Sequence, residues 1–292
     1  MTGGYRDFYV SGGDGLKLYA RDYGPAASDA LPVVCLPGIA RHSEDFHALA
    51  SALAADPRRP RRVLAPDYRG RGRSEWDKDW RRYDVRVELD DVIQTLVAAG
   101  IPRAVFVGTS RGGIIAMGLG ALRPAVLAGV VLNDIGPAID AKGLMRIRGY
   151  VGKLPTPRSL TEGGQILKQI MDAQFPRFTA QQWEGLARGM WKETDGGLVL
   201  AYDPQLMRTL EAFDPETPLP DLWPLFEGLK RVPTMVLRGA NSDILSPATV
   251  KRMKSLHPRL EAVTVADQGH APVLEGDLIP RIKRFVEMVE AA

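Results

Sequence analysis

Short, largely apolar runs alternate with segments of helical periodicity along most of the 292-residue chain. The runs span residues 31–36, 62–65, 104–107, 127–132, 234–237 and 262–265. Between the first runs, residues 44–55 and 85–99 place apolar side chains three and four positions apart, as on one face of a helix. Strands that are apolar throughout are buried on both sides of a sheet. The pattern therefore predicts an α/β fold with a mostly parallel central sheet and helices on both faces.

Two regions depart from this rhythm. Residues 7–10 and 16–21 are β-prone runs separated by glycines and an aspartate, which predicts an antiparallel hairpin at the N-terminus. Between residues 136 and 230 the chain holds helix-like stretches broken by Pro and Gly. We therefore predict a core domain made of residues 1–135 and 231–292, with residues 136–230 inserted as a helical lid, or cap.

Composition and charge exclude several classes of protein. Hydrophobic residues make up 45% of the chain, and no apolar run reaches the roughly 18 residues that a membrane span needs. The net charge is only +3, and acidic residues are interleaved with the basic clusters, so neither a membrane nor a nucleic-acid partner is expected. The first seven residues lack a secretory pattern, which favours a cytoplasmic location. The single cysteine, Cys35, and the scattered histidines predict neither a metal site nor a cofactor.

The segment Gly108–Gly113 carries the strongest chemical signal. It reads Gly-Thr-Ser-Arg-Gly-Gly, and it stands between the run 104–107 and the apolar helix expected at 114–121. A strand that enters a Gly-x-Ser-x-Gly turn and leaves as a helix forms a nucleophile elbow, in which the serine hydroxyl projects outward. Ser110 is therefore the candidate nucleophile.

A serine nucleophile needs a base, and histidine is the usual one because it titrates near neutrality. Of the four histidines, His270 follows the last apolar run in a glycine-containing loop, where parallel sheets place their ligands. We expect His257 to be exposed to solvent and His47 to be structural or exposed. The acid that orients the base is assigned to Asp243, after the run 234–237, and its competitor is Asp134, after the run 127–132.

Acyl transfer also needs two hydrogen-bond donors for the oxyanion of the tetrahedral intermediate. The elbow supplies the backbone N–H of Arg111. The second donor is expected to be the backbone N–H of Ile39, since Gly38 before it permits close approach of the backbone to a substrate.

These motifs together resemble the α/β-hydrolase fold enzymes, specifically the lid-bearing esterases and carbon–carbon-bond hydrolases. The resemblance rests on the oxyanion loop 36–39, on residues 67–74, which read Asp-Tyr-Arg-Gly-Arg-Gly-Arg-Ser, and on the elbow, acid and base loops. It implies a serine hydrolase with a Ser-Asp-His triad that acts on a small-molecule ester or lactone. A carbon–carbon-bond hydrolase of aromatic-degradation diketones and a non-catalytic receptor of the same fold remain as alternatives. Oligomeric state is not predicted.

The chain departs from its relatives at two places. Many relatives have His-Gly where this chain has Pro37-Gly38, and many have an apolar residue where it has Arg111. The Arg111 side chain is expected either to bind a substrate carboxylate or to pair with a lid or loop acid such as Asp134. His42 and Trp183, together with Asp134, are the further candidates for the pocket wall.

Overall fold

A computed structural model of the chain describes residues 4–211 and 219–292. The first three residues of the segment used to predict the compartment, and residues 212–218 of the predicted insertion, lie outside this description. Within the described ranges, no helix combines the length and apolarity that crossing a membrane requires.

Ten strands and ten α-helices are described. The strands are β1 (Tyr5–Ser11), β2 (Lys17–Tyr23), β3 (Val33–Leu36), β4 (Val63–Asp67), β5 (Ala104–Thr109), β6 (Leu127–Asn133), β7 (Trp191–Thr194), β8 (Gly197–Leu200), β9 (Thr234–Gly239) and β10 (Leu260–Val265). The helices are α1 (His47–Ala54), α2 (Val85–Ala98), α3 (Arg111–Leu122), α4 (Ala141–Tyr150), α5 (Leu160–Met171), α6 (Ala180–Arg188), α7 (Met207–Glu211), α8 (Trp223–Glu227), α9 (Pro247–Leu256) and α10 (Leu278–Ala291).

Eight strands form the central sheet in the order β1-β2-β4-β3-β5-β6-β9-β10. The hairpin β1-β2 is antiparallel and β2 pairs antiparallel with β4, whereas every later pairing in this sheet is parallel. The predicted fold class is thereby confirmed: a mostly parallel sheet that begins with an antiparallel hairpin. The six strands β4, β3, β5, β6, β9 and β10 run parallel to one another. Their carboxyl ends therefore lie at one edge of the sheet, where ligands of such sheets bind.

The two faces of the sheet bury separate apolar clusters, as the uninterrupted apolar strands predict. In β3, Val33 and Cys35 pack with α1 and α10, while Val34 and Leu36 pack on the opposite side with α2 and α3. Helices therefore cover both faces. The loops that follow β3, β5, β6 and β10 extend from this packed core.

The segment between β6 and β9 departs from the alternating pattern. It contains α4 to α8, and it also contains the two-stranded hairpin β7-β8, which helical periodicity did not indicate. Trp191 is a buried anchor of that hairpin. The role of this segment as a lid stays a prediction.

Candidate active site

The elbow is a strained turn that only small neighbours permit. β5 ends at Thr109, Ser110 takes φ 52° and ψ −113°, and α3 begins at Arg111. A Cβ added to Gly108 would lie 2.5 Å from the backbone of Gly112, and one added to Gly112 would lie 2.0 Å from the carbonyl oxygen of Leu36. The glycines therefore let three backbone segments meet beneath the serine. Strain of this kind, about 1–3 kcal/mol per residue, persists where the surrounding structure fixes it.

His270 lies within hydrogen-bond distance of the serine hydroxyl. Its Nε2 is 2.9 Å from Ser110 Oγ, and its Nδ1 is 2.8 Å from Asp134 Oδ2. The backbone N–H of His270 donates to Gln174 Oε1 at 2.8 Å, so the loop after β10 is fixed from the side of α5 as well. The structure therefore brings together Ser110 and His270, and it adds Asp134 as the third member of the hydrogen-bonded chain.

The expectation that Asp243 orients His270 is wrong on this geometry. Asp134 directly follows β6 and takes a left-handed φ of 54°, which turns its carboxylate toward the loop after β9. There Oδ1 accepts from the backbone N–H of Gly239 at 2.7 Å, and Oδ2 accepts from the Ser242 hydroxyl at 2.5 Å. These donors hold the fully buried carboxylate in line with the imidazole.

Asp243 is instead held by α4. Arg146 donates to both of its carboxylate oxygens, from Nε at 2.7 Å and from Nη2 at 2.9 Å. The Asp243 carbonyl accepts from the backbone N–H of Gly143 at 3.1 Å, so this residue is tied to the same helix through its backbone too. Burial raises the pKa of Asp243, but the hydrogen bonds and charge of Arg146, with smaller contributions from a Gln174 hydrogen bond and the charge of His270, outweigh it and leave that pKa below its ordinary value.

The two expected oxyanion donors belong to separate segments, the loop after β3 and the start of α3. Gly38 and Ile39 line the same cavity as the serine, and the Ile39 carbonyl accepts from Arg71 Nε at 2.8 Å. Arg111 is the first residue of α3, where the backbone N–H groups have no carbonyl partner within the helix. Ile39 therefore borders the cavity beside Ser110, and the Arg111 N–H is unpaired within its helix, while their role as oxyanion donors stays a prediction.

A cavity of about 700 Å³ opens onto Ser110 and His270. Much of its buried wall is apolar and comes from the segment between β6 and β9, which contributes Ile147, Val151, Leu167, Met171 and Phe175. Exposed side chains, among them Gln181, Arg188 and Glu275, mark the part that reaches the surface. A cavity of this size and character accommodates a small organic molecule.

The other candidates for the pocket wall have different roles. His42 does not line the cavity; it is buried, and its Nδ1 accepts from the Glu44 N–H at the start of a short 3₁₀ turn. Trp183 also lies outside the wall, packing behind Phe175 with ring centroids 6.1 Å apart. Both predictions were wrong because a polar or aromatic side chain near the site can serve packing and capping instead.

The Arg111 side chain does not pair with Asp134. Its Nε forms a short ion pair with Glu88 of α2, and its Nη2 donates to the Tyr83 carbonyl at 2.8 Å. Glu88 is completely buried. Arg111 therefore pairs with an acid, as predicted, but that acid lies on the core helix α2 and not on the lid or a loop.

Of the two remaining histidines, only His257 differs from expectation, because it is buried. His257 is 2% exposed, and its Nε2 is 2.8 Å from the Leu229 carbonyl oxygen. Burial is the main cause that lowers the pKa of His257. His47 lies along the cavity wall, with Nδ1 3.2 Å from the Tyr23 hydroxyl.

The arrangement has the components of general-base activation. If Nδ1 carries a proton that it donates to Asp134, then Nε2 accepts the proton of the Ser110 hydroxyl. The buried carboxylate favours this tautomer and stabilises the imidazolium that forms on proton transfer.

Comparisons with known proteins agree with the fold. A family model described as the alpha/beta hydrolase family matches residues 33–279. The 3-hydroxybutyrate-oligomer hydrolase of Cupriavidus necator is 37% identical over 263 residues, covering 88% of this chain and 87% of its own. The crystal structure of an alpha/beta hydrolase from Novosphingobium aromaticivorans superposes with a TM-score of 0.90 at 40% identity, covering 97% and 98% of the two chains. An esterase from a Rhodococcus species shares the fold, with a TM-score of 0.70 at 23% identity over 98% and 99% of the chains.

Proposed function

Because the chain belongs to the α/β-hydrolase family and is a hydrolase, we propose that it cleaves a carboxylic ester or lactone through an acyl-enzyme on Ser110. The observation that carries this proposal is the chain of hydrogen bonds from Ser110 Oγ through His270 to Asp134, at 2.9 and 2.8 Å, open to a cavity of about 700 Å³. In this proposal the backbone N–H groups of Ile39 and Arg111 supply the two oxyanion donors that acyl transfer needs.

In the first half-reaction, Ser110 Oγ bonds to the carbonyl carbon while its proton passes to His270 Nε2. The carbonyl π electrons move to oxygen, and the N–H groups of Ile39 and Arg111 donate to that oxyanion. Collapse of the intermediate breaks the carbon–oxygen bond of the leaving alcohol, which takes the proton from His270. Asp134 stabilises the imidazolium between these transfers.

In the second half-reaction, water replaces the alcohol. His270 accepts a proton from water as its oxygen bonds to the acyl carbon, and the same two N–H groups stabilise the second oxyanion. The proton returns to Ser110 Oγ when the acyl–serine bond breaks, which releases the acid and regenerates the free enzyme.

We propose that residues 136–230 act as a lid over this site. Much of the buried apolar wall of the cavity comes from α4, α5 and the residues just after them, and residues of α6 border its exposed part. The size and shape of the accepted acyl or alcohol group would then depend mainly on this segment, while the reacting groups stay on the core.

Short hydroxyalkanoate esters are the first substrates to test. The similarity to a 3-hydroxybutyrate-oligomer hydrolase over 88% of the chain supports this choice. The apolar wall suits the methyl-bearing backbone of such an oligomer, because burying methylene and methyl groups in an apolar pocket contributes favourably to the free energy of binding. Lactones of the same acids present the same carbonyl group.

One argument for the carbon–carbon-bond hydrolase alternative no longer applies. It relied on the Arg111 guanidinium to bind a substrate carboxylate, and that guanidinium is bound to Glu88 and the Tyr83 carbonyl. The non-catalytic receptor alternative predicts a folded protein whose serine does not react.

Labelling and turnover together test the proposal. The wild type should react with a fluorophosphonate probe and hydrolyse p-nitrophenyl butyrate and a 3-hydroxybutyrate dimer. Ser110→Ala should abolish labelling and lower kcat by about 10⁴-fold or more, because the nucleophile is lost while the fold remains. Ser255→Ala, which changes an exposed serine on α9, is the control and should match the wild type. A folded wild type that neither labels nor turns over any ester, lactone or diketone would refute the hydrolytic role of Ser110.

A further inference from the structure

A buried ion cluster lies behind the two expected oxyanion donors. Glu88, on α2, is completely buried, and so is Arg71, whose Nη1 lies 2.6 Å from Glu88 Oε1. The second carboxylate oxygen of Glu88 pairs with Arg111 Nε. One glutamate therefore bridges two arginines that come from separate segments, the loop after β4 and the start of α3.

Each arginine also holds the backbone close to the reacting serine. Arg71 Nε donates to the Ile39 carbonyl at 2.8 Å, and its Nη1 donates to the Arg69 carbonyl at 2.6 Å. Arg111 is itself the residue whose N–H begins α3. Glu88 is thus connected to both sides of the site, to Ile39 through Arg71 and to Arg111 directly.

Stability alone does not explain this cluster. Burying one carboxylate and two guanidinium groups carries a desolvation penalty, and well-packed apolar residues in such places are often equally or more stabilising. Burial is the main cause that lowers the pKa of Arg71, which records that penalty. Among the described residues, Arg71 Nη2 finds no hydrogen-bond partner, so even the pairing is incomplete.

The connectivity has a geometric consequence for catalysis. An oxyanion hole works when its donors are fixed in place before charge develops, since no reorganisation is then needed. The Ile39 loop and the first turn of α3 are separate pieces of backbone, and sequence-local contacts do not join them. A rigid, charged bridge between them defines the distance and direction of the two N–H groups.

We propose that Glu88 is a positioning residue that, through Arg71 and Arg111, fixes the two oxyanion donors relative to each other. The inference rests on the proposed function, because it assigns a role to residues that support the same site. The cluster also leaves one net positive charge behind the oxyanion, where the low dielectric of the interior strengthens its effect.

Glu88→Gln keeps the shape of the side chain and removes the charge that joins the arginines. We expect kcat for p-nitrophenyl butyrate to fall by about 10–100-fold, less than the 10²–10³-fold that follows loss of a whole donor, while KM changes by less than about threefold. A merely structural role would reduce the amount of folded protein but not kcat per titrated active site.

A tetrahedral mimic separates positioning from folding more directly. Ser110 Oγ adds to the carbonyl of an alkyl trifluoromethyl ketone, its proton passes to His270, and the carbonyl oxygen becomes an oxyanion. The affinity of Glu88→Gln for this ketone should fall by the same factor as kcat/KM, because transition-state mimics need the oxyanion donors. The affinity for the matching secondary alcohol, which forms no oxyanion, should stay within about twofold.

Two further variants keep the test decisive. Glu290→Gln is the matched control, since Glu290 pairs with the completely buried Arg61 and neither residue lines the cavity. It should lower thermal stability and leave the ratio of ketone to alcohol affinity unchanged. The apolar triple variant R71M/E88L/R111M should fold, because it removes all three buried charges together. It keeps both backbone N–H groups, yet it should show the same loss of ketone affinity as Glu88→Gln.

The outcomes are distinguishable. If the wild type does not label or turn over, the proposed function fails and the variants are not needed. If the wild type is active and both cluster variants keep the wild-type ketone-to-alcohol ratio within about twofold, Glu88 does not position the donors and the inference is overturned. Loss of ketone affinity in the triple variant at wild-type melting temperature would support it.

Discussion

The loops that follow β6 and β9 each place an aspartate near the base, and the two carboxylates are held differently. The Asp134 carboxylate accepts hydrogen bonds from the Gly239 N–H and from the Ser242 hydroxyl, and its Oδ2 lies 2.8 Å from His270 Nδ1. Asp243 accepts both donors of a bidentate arginine from α4. Neighbouring strand ends therefore carry one carboxylate that faces the imidazole and one that faces the segment between β6 and β9.

The difference teaches what a triad acid requires beyond its position on a sheet. Neutral donors such as a backbone N–H and a hydroxyl fix the Asp134 carboxylate and leave its charge available to an imidazolium. A guanidinium in bidentate contact neutralises Asp243 and occupies both of its oxygens. Two acids at adjacent strand ends can thus divide the tasks of catalysis and of anchoring the segment above the site.

Replacing Asp134 and Asp243 separately by asparagine should give the largest difference in kcat between two variants. Asp134→Asn should lower kcat by about 10³–10⁴-fold, because the amide favours the wrong imidazole tautomer and no longer stabilises the cation. Asp243→Asn should lower kcat by less than about tenfold, since its carboxylate does not contact His270. Steady-state hydrolysis of p-nitrophenyl butyrate, corrected by active-site titration, measures both.

Each amide variant serves as the control for the other, as both remove one negative charge from the same edge of the sheet. Equal losses of kcat would contradict the assignment of Asp134. A larger loss in Asp243→Asn would reverse the comparison and return the role of acid to the loop after β9.

Ser110 and His270 could be predicted from the sequence because their signals are local. The elbow is encoded by glycines within a few residues of the serine, and the base follows the last parallel strand. The acid is different, because the order serine, acid, histidine is satisfied by Asp134 and by Asp243 alike. What separates them is the partner of each carboxylate, Ser242 in one case and Arg146 in the other, and such long-range contacts leave no local pattern.

The ion cluster did leave a signal in the sequence. In α2, Glu88 lies three residues after Val85 and four before Val92, on the face that periodicity assigns to the core. A charge on an apolar face indicates a buried partner, yet it does not say which one. Arg71 is part of a glycine-rich motif and Arg111 of the elbow, and only the packing of α2 against α3 brings the three together.

Breaking the anchor between α4 and Asp243 should affect stability more than chemistry. Asp243→Leu leaves the partly buried Arg146 unpaired, which should lower the free energy of unfolding by about 1–3 kcal/mol. The double variant R146M/D243L removes both charges and should recover most of that loss. Urea unfolding at neutral pH measures the free energies, and a double variant no more stable than D243L would contradict a pairwise role.

The smallest expected effect is a change in the melting temperature at acidic pH. The pKa of Asp243 in the folded protein lies below its ordinary value of 3.8, so the charged carboxylate stabilises the folded state. This contribution is fully present above the unfolded value and is lost as the pH falls through the lower, folded one. The melting temperature of the wild type should therefore exceed that of Asp243→Asn at neutral pH, and the difference should shrink below about pH 4, where the carboxyl becomes protonated and resembles the amide. A difference that stays constant or widens in acid would show that the charge of Asp243 does not anchor α4, and the contrast with Asp134 would then rest on geometry alone.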